Sequence, residues 1–369
     1  MDPRLHPLRA AVVRTGQARA FLALAAACSL WGGSFLFAKV ALAEMDPGHV
    51  LLYRFGLAAA PLSILVARSH VLPRGEDWPL LVLTGILCVP VTMLVQLEGL
   101  TRTSVTSASL IVGTGTPLLA LAAVLFERER LGRIGWLAVA LSCLGITVMV
   151  GLPGAGRAWL GDLLVFLSMA VSAAWILLSR RLVRRYPPAI ASAWILIAGT
   201  VVLVPIVLAV DGSPPVTLSA SAWGSLIALA VGCTVAAFLL WNWGVDRVAA
   251  GRAAPFINLQ PVVGAALGIL LMRDALGLWT AAGGTLVLLA AALASLPGTS
   301  GNLGVAGPAR TRRPSARGRR FERSGNPPAS RPRARRSPIP RRSRAVPAGF
   351  SEARPRARGD GPGDALGAR

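Results

Sequence analysis

The sequence predicts an all-α integral membrane protein whose ten transmembrane helices form two inverted repeats of five helices each. Three observations lead to this fold class. Residues 20–296 are almost entirely apolar and are divided by short polar joints. Each segment has about twenty residues, which at 1.5 Å per residue cover the ~30 Å hydrocarbon core of a bilayer. Arginines are concentrated in every second joint, and the sequences of the two halves of the chain can be aligned.

The ten predicted helices follow one another with joints of a few residues. In order, they are Ala20–Leu42, His49–Ala67, Pro79–Leu97, Ser104–Phe126, Arg133–Gly151, Leu160–Ser179, Ala189–Ala209, Ala222–Asn242, Ala250–Leu271 and Gly277–Leu296. They lack the polar face that surface helices of soluble domains show. They also lack the alternating pattern of outer-membrane strands. A soluble protein and a barrel are therefore both disfavoured.

The arginines orient the predicted helices. With the N-terminus in the cytoplasm, fifteen arginines of the N-terminal segment and the joints face inward, and only Arg102, Arg157 and Arg273 face outward. This bias is what the positive-inside rule describes. Residues 1–19 are then a basic cytoplasmic segment, and the first helix is retained because no small-residue cleavage site accompanies it. Both termini are expected in the cytoplasm, with the protein in the inner (cell) membrane.

Residues 298–369 have a different composition. From Gly301 onward this tail holds eighteen arginines against four acidic residues, so it supplies most of the formal net charge of +22. It has few large hydrophobic residues to offset chain entropy and is expected to be disordered. Attraction to anionic lipid headgroups is its favoured role. Binding to nucleic acid or protein is disfavoured, and the absence of a selected function remains open, since arginine-rich composition also follows from GC-rich codons.

The two halves share an ordered set of residues. Pro117 precedes Glu129 in the first half, as Pro261 precedes Asp274 in the second. The two prolines are 144 positions apart, and the two acidic residues are 145 positions apart. Each predicted half has an odd number of helices, so the second half enters the membrane from the opposite side. Inverted repeats of this kind are common in secondary transporters.

The chain resembles the drug/metabolite transporter superfamily, specifically permeases with two EamA domains, here residues 20–152 and 160–297. The resemblance is carried by short motifs in a fixed order: Leu30-Trp-Gly-Gly-Ser-Phe, Tyr53-Arg-Phe, Gln96-Leu-Glu-Gly-Leu-Thr-Arg-Thr-Ser-Val, Thr116-Pro-Leu-Leu-Ala, Gly161-Asp-Leu-Leu, Leu178-Ser-Arg-Arg-Leu, Trp241-Asn-Trp-Gly-Val and Leu259-Gln-Pro-Val-Val. Arg273-Asp274 departs from the Gly-Glu usual in the family, and the long tail is not part of its pattern. The resemblance implies a ten-helix exporter of small metabolites.

Polar and aromatic residues near the predicted helix centres are candidates for a substrate cavity. They are Trp31, Ser34, Phe35, Gln96, Thr114, Trp175, Asn258 and Gln260. The alternative for Trp31 is packing against neighbouring helices, with Gly32 and Gly33 allowing their close approach. Trp241 and Trp243 are interpreted as interfacial anchors. Gly113, Pro117 and Pro261 are candidate gating breaks, because a proline lacks the N–H that a helical carbonyl needs; simple kinks are the alternative.

Three charged residues lie near the predicted outer ends of the helices. Snorkelling to the headgroups is the plain interpretation of Lys39 and Arg54. The alternative interpretation is that Lys39 or Arg54 pairs with Glu98 and that this pair acts as a gate, a carboxylate anchor or a proton-coupling site.

Catalysis is disfavoured. The histidines His6, His49 and His70 lie at or outside the helix ends, the cysteines are not spaced as metal ligands are, and no phosphate-binding loop is present. The sequence therefore predicts a secondary transporter that needs no cofactor. Its expected partners are a small-molecule substrate and the lipid bilayer, and no nucleic acid is expected to bind. The alternative is a non-transporting sensor or scaffold that acts through the basic tail.

Overall fold

In the computed structural model, the described residues are 5–128, 131–150, 158–248 and 250–296. They fold into helices joined by short turns, which confirms the predicted all-α class. The predicted disordered tail, 298–369, lies outside the described residues.

Seven helices of the described residues are long and apolar enough to cross a membrane, and three more are apolar but shorter. In chain order the helices are α1 Leu5–Ala41, α2 Pro47–Ser69, α3 Gly75–Arg102, α4 Val105–Glu127, α5 Arg133–Val150, α6 Ala158–Arg185, α7 Pro188–Val210, α8 Ala220–Val245, α9 250–271 and α10 Leu278–Ala294. The shorter ones are α5, α9 and α10. The multi-pass character of the protein is thus confirmed, whereas ten crossings stay a prediction.

Several helices extend beyond their apolar segments. Helix α1 begins at Leu5 rather than at Ala20, α3 ends at Arg102 rather than at Leu97, and α6 ends at Arg185 rather than at Ser179. Arg185 at the end of α6 donates to Asp77 at the start of α3, over 2.6 Å. An apolar segment marks the part of a helix suited to lipid, whereas the helix itself continues into water as long as its backbone bonds persist.

The most extensive helix contacts form a symmetrical set. Helix α1 packs against α8 and α9, as α6 packs against α3 and α4. Helix α2 packs against α8, as α7 packs against α3. The pairs α2–α7, α4–α9 and α5–α10 complete the set. Replacing each helix by the one five places away in the chain returns the same list.

Glycines bring the backbones of several of these pairs into contact. A Cβ atom at Gly99 of α3 would lie 2.7 Å from the carbonyl oxygen of Gly161 in α6. A Cβ at Gly85 would lie 2.7 Å from the amide nitrogen of Gly199, so α3 and α7 approach equally closely. Small residues allow such close backbone approach between membrane helices. These crossings have no room for even one additional methyl group.

Helices α3 and α8 each contain a π-helical segment, Leu87–Met93 and Ala228–Ala236. The two segments occupy equivalent helices of the two halves. In the first, the hydroxyl of Thr92 donates to the carbonyl of Leu87 at 2.6 Å, and in the second, that of Thr234 donates to Leu229 at 2.8 Å. Both threonines therefore supply a donor to a carbonyl five residues earlier. Such segments are frequent at functional sites.

One end of the bundle is fastened by polar contacts between joints. Glu44, in the α1–α2 joint, accepts hydrogen bonds from the hydroxyl and the amide of Ser219, just before α8. The hydroxyl bond and then the amide bond lower the pKa of Glu44. The hydroxyl of Tyr53 donates to the carbonyl of Pro215 at 2.8 Å. The start of α2 and the start of α8 therefore lie on the same side of the molecule.

Replacing Gly99 with alanine is expected to destabilise the protein by about 1–3 kcal/mol, the usual cost of overpacking, because the added methyl group meets the backbone of α6. The matched control is Gly56→Ala in α2, where nothing lies within 4 Å of the added atom. Thermal unfolding of the purified protein in detergent measures both variants. Equal stabilities of the two would contradict the close crossing of α3 and α6.

Candidate functional site

Two helices are interrupted one turn before their prolines. Helix α4 consists of Val105–Val112 and Gly115–Glu127, with Gly113 and Thr114 between them. Helix α9 passes through a 3₁₀ turn, Ala254–Asn258, before Leu259–Leu271. Pro117 and Pro261 lack the N–H groups that the carbonyls of Gly113 and Ile257 would accept in a regular helix, so the preceding turn tightens. The breaks expected from the sequence are therefore present, and their role in gating stays a prediction.

The two breaks lie against each other. A Cβ atom at Gly113 would be 3.6 Å from the Cγ of Pro261 and 3.0 Å from a methyl group of Val287 in α10. Beside this junction, the hydroxyls of Ser109 and Thr114 are fully buried and have no hydrogen-bond partner in the described part of the chain. An orphaned buried hydroxyl is costly, so this junction is a polar site enclosed by apolar helices.

An aromatic pair lies between α1 and α8. The rings of Trp31 and Trp241 are 5.5 Å apart, and both side chains are half-buried. Trp241 therefore contacts a candidate cavity residue, which the sequence interpretation as an interfacial anchor did not anticipate. Ser34 donates to the carbonyl of Trp31 at 2.6 Å within its own helix, and Phe35 is buried in the core. Of the three predicted cavity residues of α1, which are Trp31, Ser34 and Phe35, only Trp31 has an aromatic side chain outside the core.

Gln96 lies at the contact between α3 and α6, and Trp175 belongs to α6. The amide of Gln96 approaches the hydroxyl of Ser168 at 3.5 Å, a long hydrogen bond, and is buried. The indole N–H of Trp175 donates to Ser172 of its own helix at 3.2 Å. These two predicted residues thus lie on neighbouring helices, and each has a serine hydroxyl of α6 as its partner.

Asn258 and Gln260, the two predicted amide residues of α9, have different surroundings. Asn258 donates to the hydroxyl of Ser295, at 3.0 Å, and so links α9 to the end of α10. Gln260 is half-buried, and its backbone carbonyl lies against Gly32, where a Cβ would approach to 2.6 Å. Asn258 therefore has a helix-linking contact, and the main chain of Gln260 forms part of the α1–α9 crossing.

The sequence-based pairing of Glu98 with Lys39 or Arg54 is wrong. Glu98 forms an ion pair with Arg102, one turn later in α3, and both side chains are exposed. Helix α3 continues to Arg102, so an arginine of the same helix lies nearer to Glu98 than either cation does.

Lys39 and Arg54 both have hydrogen-bond partners within the protein, and their snorkelling to the headgroups stays a prediction. The ammonium of Lys39 donates to the backbone carbonyls of Leu100 and Thr103 at 2.6 and 2.8 Å, where α3 ends. The guanidinium of Arg54 reaches the hydroxyl of Thr234 at 2.9 Å. Both cations turn toward oxygen atoms of neighbouring helices, because helix ends and buried hydroxyls provide acceptors within the protein.

Two acidic residues belong to the same region as Lys39. Asp162 is buried and accepts a hydrogen bond from the hydroxyl of Thr103 at 2.5 Å. Asp274 accepts from the amide and the hydroxyl of Thr106 at 2.8 and 2.9 Å, and it acts electrostatically on Lys39. Neither aspartate was predicted from the sequence to belong to the site. An acid at the edge of a long apolar segment, as Asp162 is, was the available signal.

Replacing Lys39 with methionine is expected to cost about 1–3 kcal/mol of stability, because the carbonyls at the end of α3 lose their donor. The control is Glu98→Gln, which removes an exposed ion pair worth at most about 1 kcal/mol. Thermal unfolding in detergent compares the two. Greater destabilisation by the Glu98 change would contradict this assignment of the two charges.

Comparison with known proteins agrees with this architecture. The model of a family described as the EamA-like transporter family matches residues 18–151 and 159–296. An uncharacterized transporter of Archaeoglobus fulgidus is 25% identical over 72% of this chain and 94% of its own length. A solved crystal structure covers 75% of this chain and 96% of its own at 20% identity, with a TM-score of 0.54, and this likeness concerns the fold alone.

Two further relatives have names that state a function. A probable terminal-alkyne amino-acid exporter of Streptantibioticus cattleyicolor is 24% identical over 66% of this chain and 82% of its own length. A probable amino-acid metabolite efflux pump of Salmonella typhimurium is 27% identical over 70% of this chain and 89% of its own. The family match covers most of the chain in two consecutive copies, so the chain belongs to the EamA-like transporter family.

Proposed function

We propose that this protein is a secondary transporter of the cell membrane that exports small organic metabolites, such as amino acids or amphipathic toxic compounds, by alternating access. Membership of the transporter family and the long apolar helices support transport across a membrane. The names of two relatives, an amino-acid exporter and an amino-acid metabolite efflux pump, support the substrate class and the outward direction.

The proposal includes ten crossings in two inverted repeats, with both termini in the cytoplasm. Its support is the symmetrical set of helix contacts, in which each helix is replaced by the one five places away. The π segments of α3 and α8 and the breaks of α4 and α9 occupy equivalent positions in the two halves. Five crossings in each half would give the halves opposite orientations, an arrangement common in secondary transporters that work by alternating access. The arginine-rich joints support a cytoplasmic N-terminus.

The junction of the two helix breaks is the observation that carries the transport proposal. Gly113 lies against Pro261, and the hydroxyls of Ser109 and Thr114 stand beside it without partners among the described residues. Irregular backbone at membrane depth is tolerated where it is buried in protein or lines a water-filled cavity. Small rotations about these breaks would open the bundle toward one side or the other.

The basic tail is proposed to contact anionic lipid and to be dispensable for transport. Deleting residues 301–369 is therefore expected to leave the efflux of an amino-acid panel, measured from preloaded overexpressing cells, within about twofold of the full-length protein. The control is the full chain at equal membrane abundance, quantified by immunoblot. If the deletion abolished efflux while the protein stayed in the membrane, the alternative of a scaffold acting through its tail would replace this proposal.

The substitutions Trp31→Ala and Gln260→Ala are expected to lower efflux of the exported amino acid several-fold without loss of membrane insertion. Trp31 lies near Trp241 at the contact of α1 with α8, and Gln260 is a half-buried amide of α9, so both side chains are candidates to contact the solute. Trp136→Ala is the matched control, since that indole is 50% exposed on the outer surface of α5. Normal efflux by both site variants would show that the substrate passes elsewhere.

A further inference from the structure

Arg54 is a cation within a membrane helix that has no charged partner among the described residues. It stands seven residues into α2, so its Cα lies about 10 Å along the helix axis from Pro47. Its side chain is half-buried. No carboxylate of the described residues lies within 4 Å of it, in contrast to the arginines at the helix ends, such as Arg102 and Arg185.

The position of Arg54 is defined by both π-helical segments. Its Nε donates to Thr234 in the α8 segment. The neutral thiols of Cys88, in the α3 segment, and Cys233, in the α8 segment, lie near it. The guanidinium carbon also lies 5.3 Å from the centroid of the Phe55 ring. The charge therefore lies where α2, α3 and α8 meet.

Thr234 fixes the orientation of this guanidinium. Its hydroxyl donates to the carbonyl of Leu229 and therefore presents its lone pairs to Arg54. That contact occupies one of the five N–H donors of the arginine, and the described residues supply no acceptor for the other four. An ionised group in a membrane span is costly unless water, a counter-charge or a ligand satisfies it.

Lys39 shows by comparison how the same protein stabilises a cation for structural reasons. Its ammonium is surrounded by backbone carbonyls at the end of α3, with Asp274 as a nearby countercharge. Arg54, by contrast, has a neutral hydroxyl and an aromatic ring as its partners in the described part of the chain. Its two terminal nitrogens, held in one plane, have the geometry that binds a carboxylate in a bidentate manner.

We propose that Arg54, oriented by Thr234 between the two π-helical segments, binds the carboxylate of the transported solute. This inference rests on the proposed function and deepens it, since it assigns the anionic end of an amino acid to one residue. Thr234 is a positioning residue in this arrangement. The apolar remainder of the solute would lie toward the aromatic surfaces of the surrounding helices.

Binding to the purified full-length protein in detergent tests this proposal without requiring transport. The probes are L-phenylalanine and phenylacetate, each compared with its primary amide, and affinity is measured by isothermal titration. We expect each carboxylate to bind the wild-type protein at least tenfold more tightly than its amide. Arg54→Gln is expected to abolish this difference, because the amide side chain has no charge to offer.

Three further variants separate binding from folding. Arg68→Gln removes an exposed arginine from the last turn of the same helix and is expected to retain the carboxylate preference. Arg54→Lys keeps the charge without the planar fork and is expected to retain part of the preference, which provides a reading even if Arg54→Gln fails to fold. Thr234→Val is expected to reduce the preference, and Thr234→Ser to restore it.

The outcomes distinguish this inference from the proposed function. The inference is overturned if neither carboxylate binds the wild-type protein more tightly than its amide, or if the folded Arg54 variants keep the full preference. Efflux of amino acids from cells is measured separately. Efflux without a carboxylate preference would leave the transporter proposal standing and remove only the role of Arg54. Carboxylate binding without efflux of any amino acid would leave Arg54 as a carboxylate-binding residue and remove the transporter proposal.

Discussion

The need to satisfy every backbone carbonyl inside a lipid environment governs the architecture of this protein. Hydrocarbon offers no hydrogen bonds, so each departure from a regular helix must be compensated by the protein itself. The ammonium of Lys39 serves the carbonyls at the end of α3, and the hydroxyls of Thr92 and Thr234 serve carbonyls within the π segments. At the helix breaks, 3₁₀ turns serve the same purpose. The irregular places of the fold are also its polar places, and the candidate site is built from them.

Apolar length and proline position were the parts of the structure that the sequence predicted well. A twenty-residue apolar segment has few alternatives to a helix, and a proline removes a specific N–H wherever it stands. The breaks before Pro117 and Pro261 could therefore be located in advance. Helix ends could not, since α1 begins at Leu5 and α3 ends at Arg102, outside the apolar segments.

The charged residues show why the remainder of the site could not be predicted. Lys39 and Arg54 obtain their partners from residues 61 and 180 positions away, and only the packing of α3 and α8 determines which oxygen atoms are presented. Glu98 pairs locally because α3 is longer than its apolar part. The π segments have no clear sequence signature. The buried acid Asp162 was visible as a residue type, but its contact with Thr103 depends on the glycine crossing of α3 and α6.

The pairing of the two short helices α5 and α10 has a consequence for the surrounding lipid. Within the described residues, each has about 17 or 18 residues, or about 25 Å of length, whereas α3 and α6 have 28. Because the short helices pack against each other, the deficit in length is concentrated on one flank of the protein. Hydrophobic mismatch of this kind is relieved by local thinning of the bilayer. A protein with one thin flank would favour short-chain lipids there and would resist insertion into thick, sterol-rich membranes.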